Sequence, residues 1–514
     1  MAAVDCSLTA SAAWALYYRG PRAELLGRIA PIKITETGMS PARESWRELV
    51  RRHWVDADRP AHPEFWCPDL ETCSRERLRA IQSEKVAAAY RYLWECSSFY
   101  RRKFEQAGLG PEAVRGIDDL AKVPVTRREE WLEDQEEHPP WGTFSPLRQE
   151  DWLERGWMLF TTSGTTAAQP RVFRHTDFDR QLWSWLGARA LYAMGVRRGD
   201  VAINCFGYGT SVAFWGMHYA LNHMGIPVIP GGGANTDRRA FFIRSYGPTV
   251  LLCTPSYALY LGRVMEDAGQ VPAESSIRLI VAAGEPGPCV PATKQRLEDL
   301  WGATVHDDFG CTEVAMSPLG YTCAYQAGQS KGPVDAHLME DAYVAEVLDP
   351  DTMQPVAEGE RGILVVSNLF SEAQPILRYV MGDWLSVTTE ACPCGRTHAR
   401  AKGGLHGRND DLVKIRGLMF FPAVLEDSIR RLEDVGDEFK VEISRTDNMD
   451  RVRVTVEPSS QIPKSDYGPS RERIARALKG SLGIDVEVVL VPYGSLPRTT
   501  FKAKRLFDFR ERVV

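Results

Sequence analysis

The segment with the clearest chemical character is a hydroxyl-rich loop at residues 159–176, LFTTSGTTAAQPRVFRHT. It follows a strand-like apolar run and places five hydroxyl side chains around Gly164. Hydroxyls and free backbone N–H groups on a flexible loop can surround phosphate oxygens. The same composition also occurs in ordinary polar turns, so the residues alone leave both interpretations open. The lysine-containing phosphate loop G-x-x-x-x-G-K-[ST] does not occur in this sequence.

Two further segments place nucleotide-binding groups at the ends of apolar runs. VAAGEPGP, residues 281–288, has glycines where a strand ends, which permits close approach of a flat ligand. HDDFGCTEVA, residues 306–315, brings Phe309, Thr312 and Glu313 within five positions. An aromatic ring, a hydroxyl and a carboxylate can stack on a base, contact a phosphate and bind Mg²⁺. Taken singly, each segment is also compatible with a plain strand end.

The cysteines and the overall charge restrict the class of protein. Eleven cysteines among 514 residues are too sparse for a secreted disulfide scaffold. The N-terminus lacks the basic residues of a signal peptide, and the most apolar stretch, residues 205–233, is interrupted by polar residues and glycines. We therefore expect a soluble cytoplasmic protein with reduced thiols and no membrane partner. A net charge of −6 argues against a nucleic-acid partner.

Cys392 and Cys394 form a close pair in the turn CPCGRTH. Their spacing is too short for a comfortable disulfide, and two adjacent thiolates favour chelation of one soft cation. The pair therefore predicts a metal site whose other ligands lie elsewhere in the chain.

The pattern of elements that must position these groups predicts an α/β fold. Between about residues 155 and 390, short apolar runs such as VAINCF, TVLLCT and IRLIVAAG alternate with helical segments. Residues 343–369 favour β-hairpins, and residues 74–107 favour one or two amphipathic helices. A boundary near residues 403–407 separates a final α+β unit of the size of a small domain.

In their order and spacing, these segments resemble the ANL superfamily of AMP-forming adenylating enzymes, in its phenylacetate–CoA ligase-like branch. The resemblance covers roughly residues 60–510 and includes FGYGTSVAFWGMHY, RYVMGD, CPCGRTH, GRNDDLVKIRG and SLPRTTFKAKR. It implies a large adenylating domain at residues 61–406, with mixed sheets, helices and a zinc-binding β subdomain. An N-terminal extension, residues 1–60, precedes this domain, and a small mobile α+β lid domain, residues 407–514, follows it.

The resemblance implies that ATP and Mg²⁺ activate an aromatic carboxylic acid to an acyl adenylate, which coenzyme A then accepts. It assigns Lys502, Glu313 and Thr165 to catalysis, with Glu313 as the magnesium ligand and Asp410 as the hinge of the small domain. Lys504, two residues from Lys502, is the competing candidate for the catalytic ammonium group. The implied ATP- and AMP-binding residues are Ser163, Gly164, Thr165, Thr166, Gly284, Glu285, Pro286, Asp308, Phe309, Gly310, Thr312, Asp383 and Arg408.

For the metal, the resemblance adds Cys323 and His337 to Cys392 and Cys394, which completes a structural zinc site. The alternative is four unrelated buried residues. The implied acyl pocket consists of Phe206, Tyr208, Gly209, Ser211, Trp215, His218 and Ala283.

Several positions depart from the family pattern. Ala167 and Ala168 stand where the phosphate loop usually has a glycine and a lysine. Ser211 stands in place of a phenylalanine, and Phe214 and Trp215 in place of glycine and leucine. A pocket with an added hydroxyl and a displaced aromatic wall predicts a substituted or more polar aryl acid than phenylacetate.

Two other functions stay open from the sequence. The adenylate could be transferred to an amine, a carrier-protein thiol or another nucleophile in specialised biosynthesis. A zinc-stabilised nucleotide-binding protein without turnover is the alternative outside the enzymes. A homodimer is also compatible with the sequence.

Overall fold

The computed structural model describes residues 39–54, 60–153, 156–162, 171–314, 318–329, 333–409, 413–415, 418–446, 449–459, 462–498 and 505–510. The helices in these ranges are α1 (Pro41–Arg52), α2 (Pro68–Glu71), α3 (Arg75–Cys96), α4 (Ser98–Gln106), α5 (Arg128–Glu137), α6 (Asp177–Ala193), α7 (Val212–His223), α8 (Thr236–Tyr246), α9 (Pro255–Asp267), α10 (Pro291–Trp301), α11 (Ala324–Ala327), α12 (Pro422–Arg430) and α13 (Tyr467–Leu482). None of these helices has both the length and the apolar character needed to cross a membrane.

The strands begin with a hairpin, β1 (Trp157–Thr161) and β2 (Val172–Thr176), and continue through the large lobe. They are β3 (Ala202–Asn204), β4 (Val228–Pro230), β5 (Val250–Cys253), β6 (Leu279–Ala283), β7 (Thr304–Phe309), β8 (Gly320–Tyr321), β9 (Ala336–Leu338), β10 (Tyr343–Leu348), β11 (Gly362–Asn368), β12 (Ile376–Leu385), β13 (Val387–Thr388), β14 (Arg400–Ala401) and β15 (Gly407–Arg408). The remaining strands are β16 (Val413–Ile415), β17 (Leu418–Phe420), β18 (Val435–Thr446), β19 (Met449–Pro458), β20 (Glu487–Leu490) and β21 (Leu506–Asp508).

A nine-stranded sheet organises the large lobe, in the order β13-β14-β9-β8-β7-β6-β5-β3-β4. The five strands from β7 to β4 run parallel, so their carboxyl ends meet at one edge. β8, β9, β14 and β13 extend the sheet in antiparallel fashion. The predicted α/β fold and its strands are therefore confirmed.

Helices cover both faces of this sheet, and the side chains of each strand alternate between two cores. Leu279 and Val281 of β6 belong to the core beneath α6 and α7, whereas Ile280 and Ala282 belong to the core beneath α8–α10. We call the first side of the sheet the α7 face and the second side the α9 face. The alternation follows from the period of two in a strand, and it decides which ligand-binding region each strand residue reaches.

The small lobe is a four-stranded sheet, β20-β19-β18-β21, packed against α12 and α13. Its core includes Val441, Val454 and Leu478, as expected from the predicted α+β unit. The last strand, β21, runs parallel to β18 and ties the end of the described chain to this sheet. The domain boundary near residue 407 stays a prediction.

Helix α1 joins the large lobe although it precedes the part of the chain that carries the family motifs. Trp46 is buried in the main core, and its indole N–H donates to the carbonyl of Ser371 at 3.0 Å. The Arg43 guanidinium pairs with both Asp151 and the fully buried Glu372, each at 3.0 Å. Because an unpaired buried carboxylate is costly, these ion pairs fix α1 in place.

Candidate active site

The predicted adenine-binding segment lies where β6 leaves the sheet. Gly284 has a φ of +92°, a conformation that a glycine adopts without strain, and it turns the chain toward Glu285. The Glu285 carboxylate accepts a hydrogen bond from the backbone N–H of Ser256 at 2.7 Å. Ser256 lies in the first turn of α9, which follows β5. The turns after two neighbouring parallel strands are thus joined at the sheet edge.

Phe309, at the end of β7, lies beside this turn and is 8% exposed. A Cβ atom added at Gly320 would lie 2.1 Å from Cζ of the Phe309 ring, so the ring rests directly against the glycine backbone. This close packing holds the ring in place at the sheet edge. Gly310 and Pro286 are exposed and Thr312 is half-buried in the same region.

The predicted magnesium ligand, Glu313, has a cationic neighbour. The Arg171 guanidinium lies 2.7 Å from Glu313 Oε1 and also donates to the Tyr379 hydroxyl at 3.3 Å. The backbone N–H of Thr162 donates to the carbonyl of Arg171 at 3.2 Å, so these two residues close the base of the hydroxyl-rich loop. Glu313 therefore lies at the foot of the predicted phosphate-binding loop.

Asp383, predicted to bind the ribose hydroxyls, lies on β12, the strand whose Tyr379 hydroxyl accepts from Arg171. Asp383 pairs in register with Arg408 on β15. Burial, followed by the charges of Glu313 and Asp383, raises the pKa of the Cys311 thiol well above its ordinary value. Strand β12 therefore carries the predicted ribose ligand and, through Tyr379 and Arg171, a link to the predicted magnesium ligand.

Six predicted residues fall outside the part of the chain that the structure describes. They are Ser163, Gly164, Thr165, Thr166, Asp410 and Lys502. Their roles stay predictions. The chain resumes after Lys502 at Arg505, whose guanidinium donates to the Ser256 hydroxyl at 3.0 Å and pairs with Glu438 of the small lobe at 3.3 Å.

Sequence reasoning missed Arg171 and Asp307. Arg171 is the first cation after the altered phosphate loop, and this position was the available signal. Asp307 projects to the α9 face, where a Cβ atom added at Gly404 would lie 3.5 Å from its Oδ2. Burial raises the pKa of Asp307 to about 7. Two successive aspartates gave no indication of which one projects to which face of the sheet.

The predicted acyl-pocket residues surround the first turns of α7. The Asn204 side-chain amide at the end of β3 donates to the carbonyl of Phe214 at 3.0 Å, which seats α7 over the carboxyl ends of the strands. Trp215 Nε1 donates to the carbonyl of Gly209 at 2.8 Å, and its ring centroid lies 4.7 Å from that of Tyr208. Ser211 immediately precedes the helix. Phe206 is buried, Ala283 is half-buried, and Tyr208 is 63% exposed.

His218 belongs to the same aromatic group. Its ring stacks on Phe214 at a centroid distance of 5.6 Å, and its Nε2 lies 3.0 Å from the side-chain amide of Asn222. Burial lowers the pKa of His218, so the ring is neutral at neutral pH. His223 packs instead against Trp66 on the other side of α7.

The four predicted zinc ligands come together. The sulfurs of Cys323, Cys392 and Cys394 and a ring nitrogen of His337 all lie within 4.8 Å of one another. Cys323 follows β8, His337 lies in β9, and both other cysteines lie in the turn between β13 and β14. Ligands at about 2.3 Å from a tetrahedral zinc ion lie roughly 3.8 Å apart, so this cluster fits the ion.

Groups around the cluster suit a metal site as well. His337 Nδ1 donates to the carbonyl of His398 at 3.3 Å, which leaves Nε2 to face Cys394 Sγ at 3.3 Å. The side-chain amide of Gln326 donates to Cys392 Sγ at 3.7 Å. Hydrogen bonds from Cys323 lower the pKa of the Cys392 and Cys394 thiols. Such outer contacts orient metal ligands and stabilise thiolates.

Comparison with known proteins agrees with this geometry. Residues 107–370 match the family model of AMP-binding enzymes, and residues 417–510 match that of the AMP-binding enzyme C-terminal domain. The chain is 33% identical over 460 residues to the phenylacetate–coenzyme A ligase of Thermus thermophilus, covering 86% of this chain and 99% of that relative. The crystal structure of 2-hydroxyisobutyryl-CoA ligase in the postadenylation state with 2-HIB-AMP superposes with a TM-score of 0.83 at 28% identity. That superposition covers 90% of this chain and 96% of the ligase.

The sheet edge and the two lobes are those of an adenylate-forming enzyme. The chain belongs to the AMP-binding enzyme family, in which its relatives are acid–CoA ligases. The predicted reaction, in which ATP activates an acid to an adenylate that is transferred to coenzyme A, is confirmed by these relatives.

The same ligase also indicates how the two lobes are arranged. Its structure with 2-HIB-AMP and CoA in the thioesterification state superposes with a TM-score of only 0.66, over 89% of this chain and 95% of that one at 29% identity. The lobe arrangement of the present chain is therefore more similar to that of the postadenylation structure than to that of the thioesterification structure.

Proposed function

We propose that this protein adenylates a substituted aromatic carboxylic acid and passes the acyl group to coenzyme A, with Lys502 and Glu313 acting on the triphosphate. The single observation that carries the site assignment is the hydrogen bond from Arg505 to Ser256 at 3.0 Å. Ser256 also donates its backbone N–H to Glu285 in the predicted adenine turn. Lys502 precedes Arg505 by three residues, a span of at most about 10 Å. This contact supports the proposal that a lysine of the tail acts at the nucleotide turn.

The nucleotide is held at the carboxyl edge of the parallel strands. Phe309 packs against the base, Asp383 accepts hydrogen bonds from the ribose hydroxyls, and the loop at residues 163–166 contacts the β- and γ-phosphates. The link from β12 to Glu313 through Tyr379 and Arg171 supports placing the ribose and the triphosphate in one site.

In the first half-reaction a carboxylate oxygen of the acid forms a bond to the α-phosphorus, and the bond from that phosphorus to the bridging oxygen of pyrophosphate breaks. Negative charge grows on the phosphoryl oxygens, so the Lys502 ammonium and the Arg171 guanidinium stabilise the transition state by position and charge. Carboxylate attack requires no general base. The higher TM-score against the relative's postadenylation structure than against its thioesterification structure supports this step as the one for which the lobes are arranged.

Magnesium fits the site by its donor chemistry. Glu313 presents a carboxylate that is 8% exposed and already balanced by a cation, which suits an ion held jointly by one carboxylate and substrate phosphates. When bound there, Mg²⁺ would neutralise charge on the phosphate oxygens.

In the second half-reaction the thiolate of coenzyme A attacks the acyl carbon, and AMP leaves with the adenylate oxygen. Lys502 must first withdraw, and we assign that movement to rotation of the small lobe about Asp410. The zinc site is structural: four protein ligands leave no open position, and they tie the outer strands β9 and β14 to the rest of the sheet.

The experiment that tests this proposal is a pyrophosphate-release screen over aryl and heteroaryl acids, run with and without coenzyme A. We expect acid-dependent release, and a thioester only when coenzyme A is present. Acid-dependent exchange without a thioester would assign the adenylate to an amine or carrier-protein acceptor. ATP binding with no AMP release from any acid would overturn the enzyme assignment.

A matched pair of variants tests the lysine. We expect Lys502→Ala to abolish adenylate formation with little change in ATP affinity, and Lys504→Ala to retain most of it. The reverse pattern would transfer the role to Lys504.

A further inference from the structure

The register of β7 places Asp308 in an unexpected position. Asp308 pairs with Ala283 of β6 and with Tyr321 of β8, and paired residues point to the same face of a sheet. Tyr321 belongs to the core on the α7 face, and Ala283 packs against that core. Asp307 points the other way, to the α9 face. The Asp308 side chain is therefore directed away from the side that Asp307 occupies.

The α7 face at this edge is the region of the predicted acyl pocket. Ala283 is one of the predicted pocket residues, and α7 is seated over the same strand ends through the bond from Asn204 to Phe214. The aromatic side chains Phe214, Trp215 and His218 come from that helix. Asp308 and this aromatic group thus lie on the same face of the sheet, at the carboxyl edge of the parallel strands.

The Asp308 carboxyl group has no partner in the part of the chain that the structure describes. It is 5% exposed, and no hydrogen bond or basic side chain satisfies it. Burial and the neighbouring Asp307 carboxyl raise its pKa well above the ordinary value. Its surroundings include Tyr343 and Tyr321. A buried polar group costs free energy unless a partner bonds to it, so a ligand group is the natural complement.

We propose that Asp308 is the specificity-determining residue of the acyl pocket, and that it bonds to a hydroxyl or amino substituent on the ring of the acid. This inference rests on the proposed function, since it names the class of acid that the same site adenylates. It replaces the nucleotide-binding role that the family resemblance implied for Asp308. A carboxyl group both accepts and donates hydrogen bonds when protonated, and phenols and aromatic amines match both capacities.

The test compares isosteric acids in the pyrophosphate-release assay. Hydroxy- or amino-substituted benzoic and phenylacetic acids are each paired with the methyl-substituted acid at the same ring position. We expect the wild-type protein to prefer at least one hydroxy-substituted or amino-substituted aryl acid over its methyl-substituted partner by a hundredfold or more in kcat/KM. Equal use of both members of every pair would overturn the role of Asp308.

Variants locate the preference in the side chain. Asp308→Leu should lose the preference by a hundredfold or more and use methyl acids as well as before or better, and Asp308→Asn should keep part of it. Asp307→Asn is the matched comparison: it alters the adjacent residue on the opposite face, so the preference for the hydroxy or amino substituent should persist. If Asp308→Leu fails to fold, Asp308→Asn and the wild-type acid series still decide. If none of the tested acids supports turnover, the proposed function is refuted. If acids are turned over without this preference, only the inference about Asp308 is refuted.

Discussion

Arg171 holds a positive charge at the point where the hydroxyl-rich loop rejoins β2, 2.7 Å from Glu313. The loop itself carries Ala167 and Ala168 at the positions where the family resemblance predicts a glycine and a lysine. A guanidinium at the loop base can bond two phosphate oxygens at once, so it can take over part of the lost charge. We therefore infer a rearranged phosphate site in which Arg171 supplies positive charge.

We predict that Arg171→Gln lowers kcat/KM for ATP by about ten- to hundredfold, the size of one lost charge-assisted hydrogen bond. Arg171→Lys should recover part of the loss, because it restores charge without the fork geometry. Arg198→Gln, an exposed arginine of the same lobe, is the control and should leave ATP kinetics unchanged. An Arg171→Gln enzyme with wild-type kcat/KM for ATP would remove Arg171 from the site.

Asp307 provides a pH test of the buried aspartate pair. Its pKa is raised by burial from 3.8 in the unfolded chain to about 7 in the folded protein. A raised carboxyl pKa means that the folded state holds the proton more tightly. The corresponding stability is fully present below about pH 4 and is lost as the pH rises through 7.

We predict that wild-type protein loses more stability than Asp307→Asn between pH 5 and pH 8, by at most about 1.4 kcal/mol per pH unit. Urea unfolding of both proteins at each pH measures this difference. Parallel pH dependence in the two proteins would show that Asp307 does not titrate in this range.

At the scale of elements, the Cys/His cluster joins three parts of the chain that the sequence keeps apart. Its ligands follow β8, lie in β9 and form the turn before β14, so one ion would hold the antiparallel extension of the sheet together. The extension in turn supports Phe309, because β8 pairs with β7. Loss of the metal should therefore loosen the packing of Phe309 at the nucleotide site.

We predict about one equivalent of zinc per chain in native protein, and less than half an equivalent after Cys392→Ser or Cys394→Ser. Both variants should unfold at lower temperature than wild type. The Cys96→Ser variant changes a half-buried cysteine outside the cluster, so this protein should retain its zinc. Native protein with less than about half an equivalent of zinc would contradict a filled site.

The elements themselves were predictable because local sequence determines them. Apolar runs that end at glycine or proline became the parallel strands, and α9 starts with a Thr254 cap followed by Pro255, both favourable residues for a helix start. Side-chain direction was not predictable in the same way. HDDF has two polar residues in succession, so alternation could not show which aspartate joins which face. Only pairing with β6 and β8 decides that, and the Arg171–Glu313 contact likewise depends on tertiary folding.

At the scale of the whole molecule, the two lobes meet through polar contacts. Arg296 of α10 donates to the carbonyls of Arg430 and Gly436 at 2.7 Å and 2.9 Å, and Asp437 accepts from Arg263 at 2.7 Å. A cavity of about 670 Å³ lies between α10 and residues 430–433 of the small lobe. Polar, incompletely packed interfaces permit domain movement. Such an interface is compatible with the proposed rotation of the small lobe between the two half-reactions.

Arg296 tests whether these contacts select the arrangement for the first half-reaction. Because Arg296→Ala removes bonds made to the small lobe in this arrangement, we predict a three- to tenfold loss of acid-dependent ATP–pyrophosphate exchange. Thioester formation from preformed acyl adenylate should stay constant or become faster, since the contacts that must break are weaker. Arg453→Ala, which removes an exposed ion pair with Glu487 inside the small lobe, should change neither rate. Equal losses in both half-reactions would mean that Arg296 supports folding and does not set the balance between the two lobe arrangements.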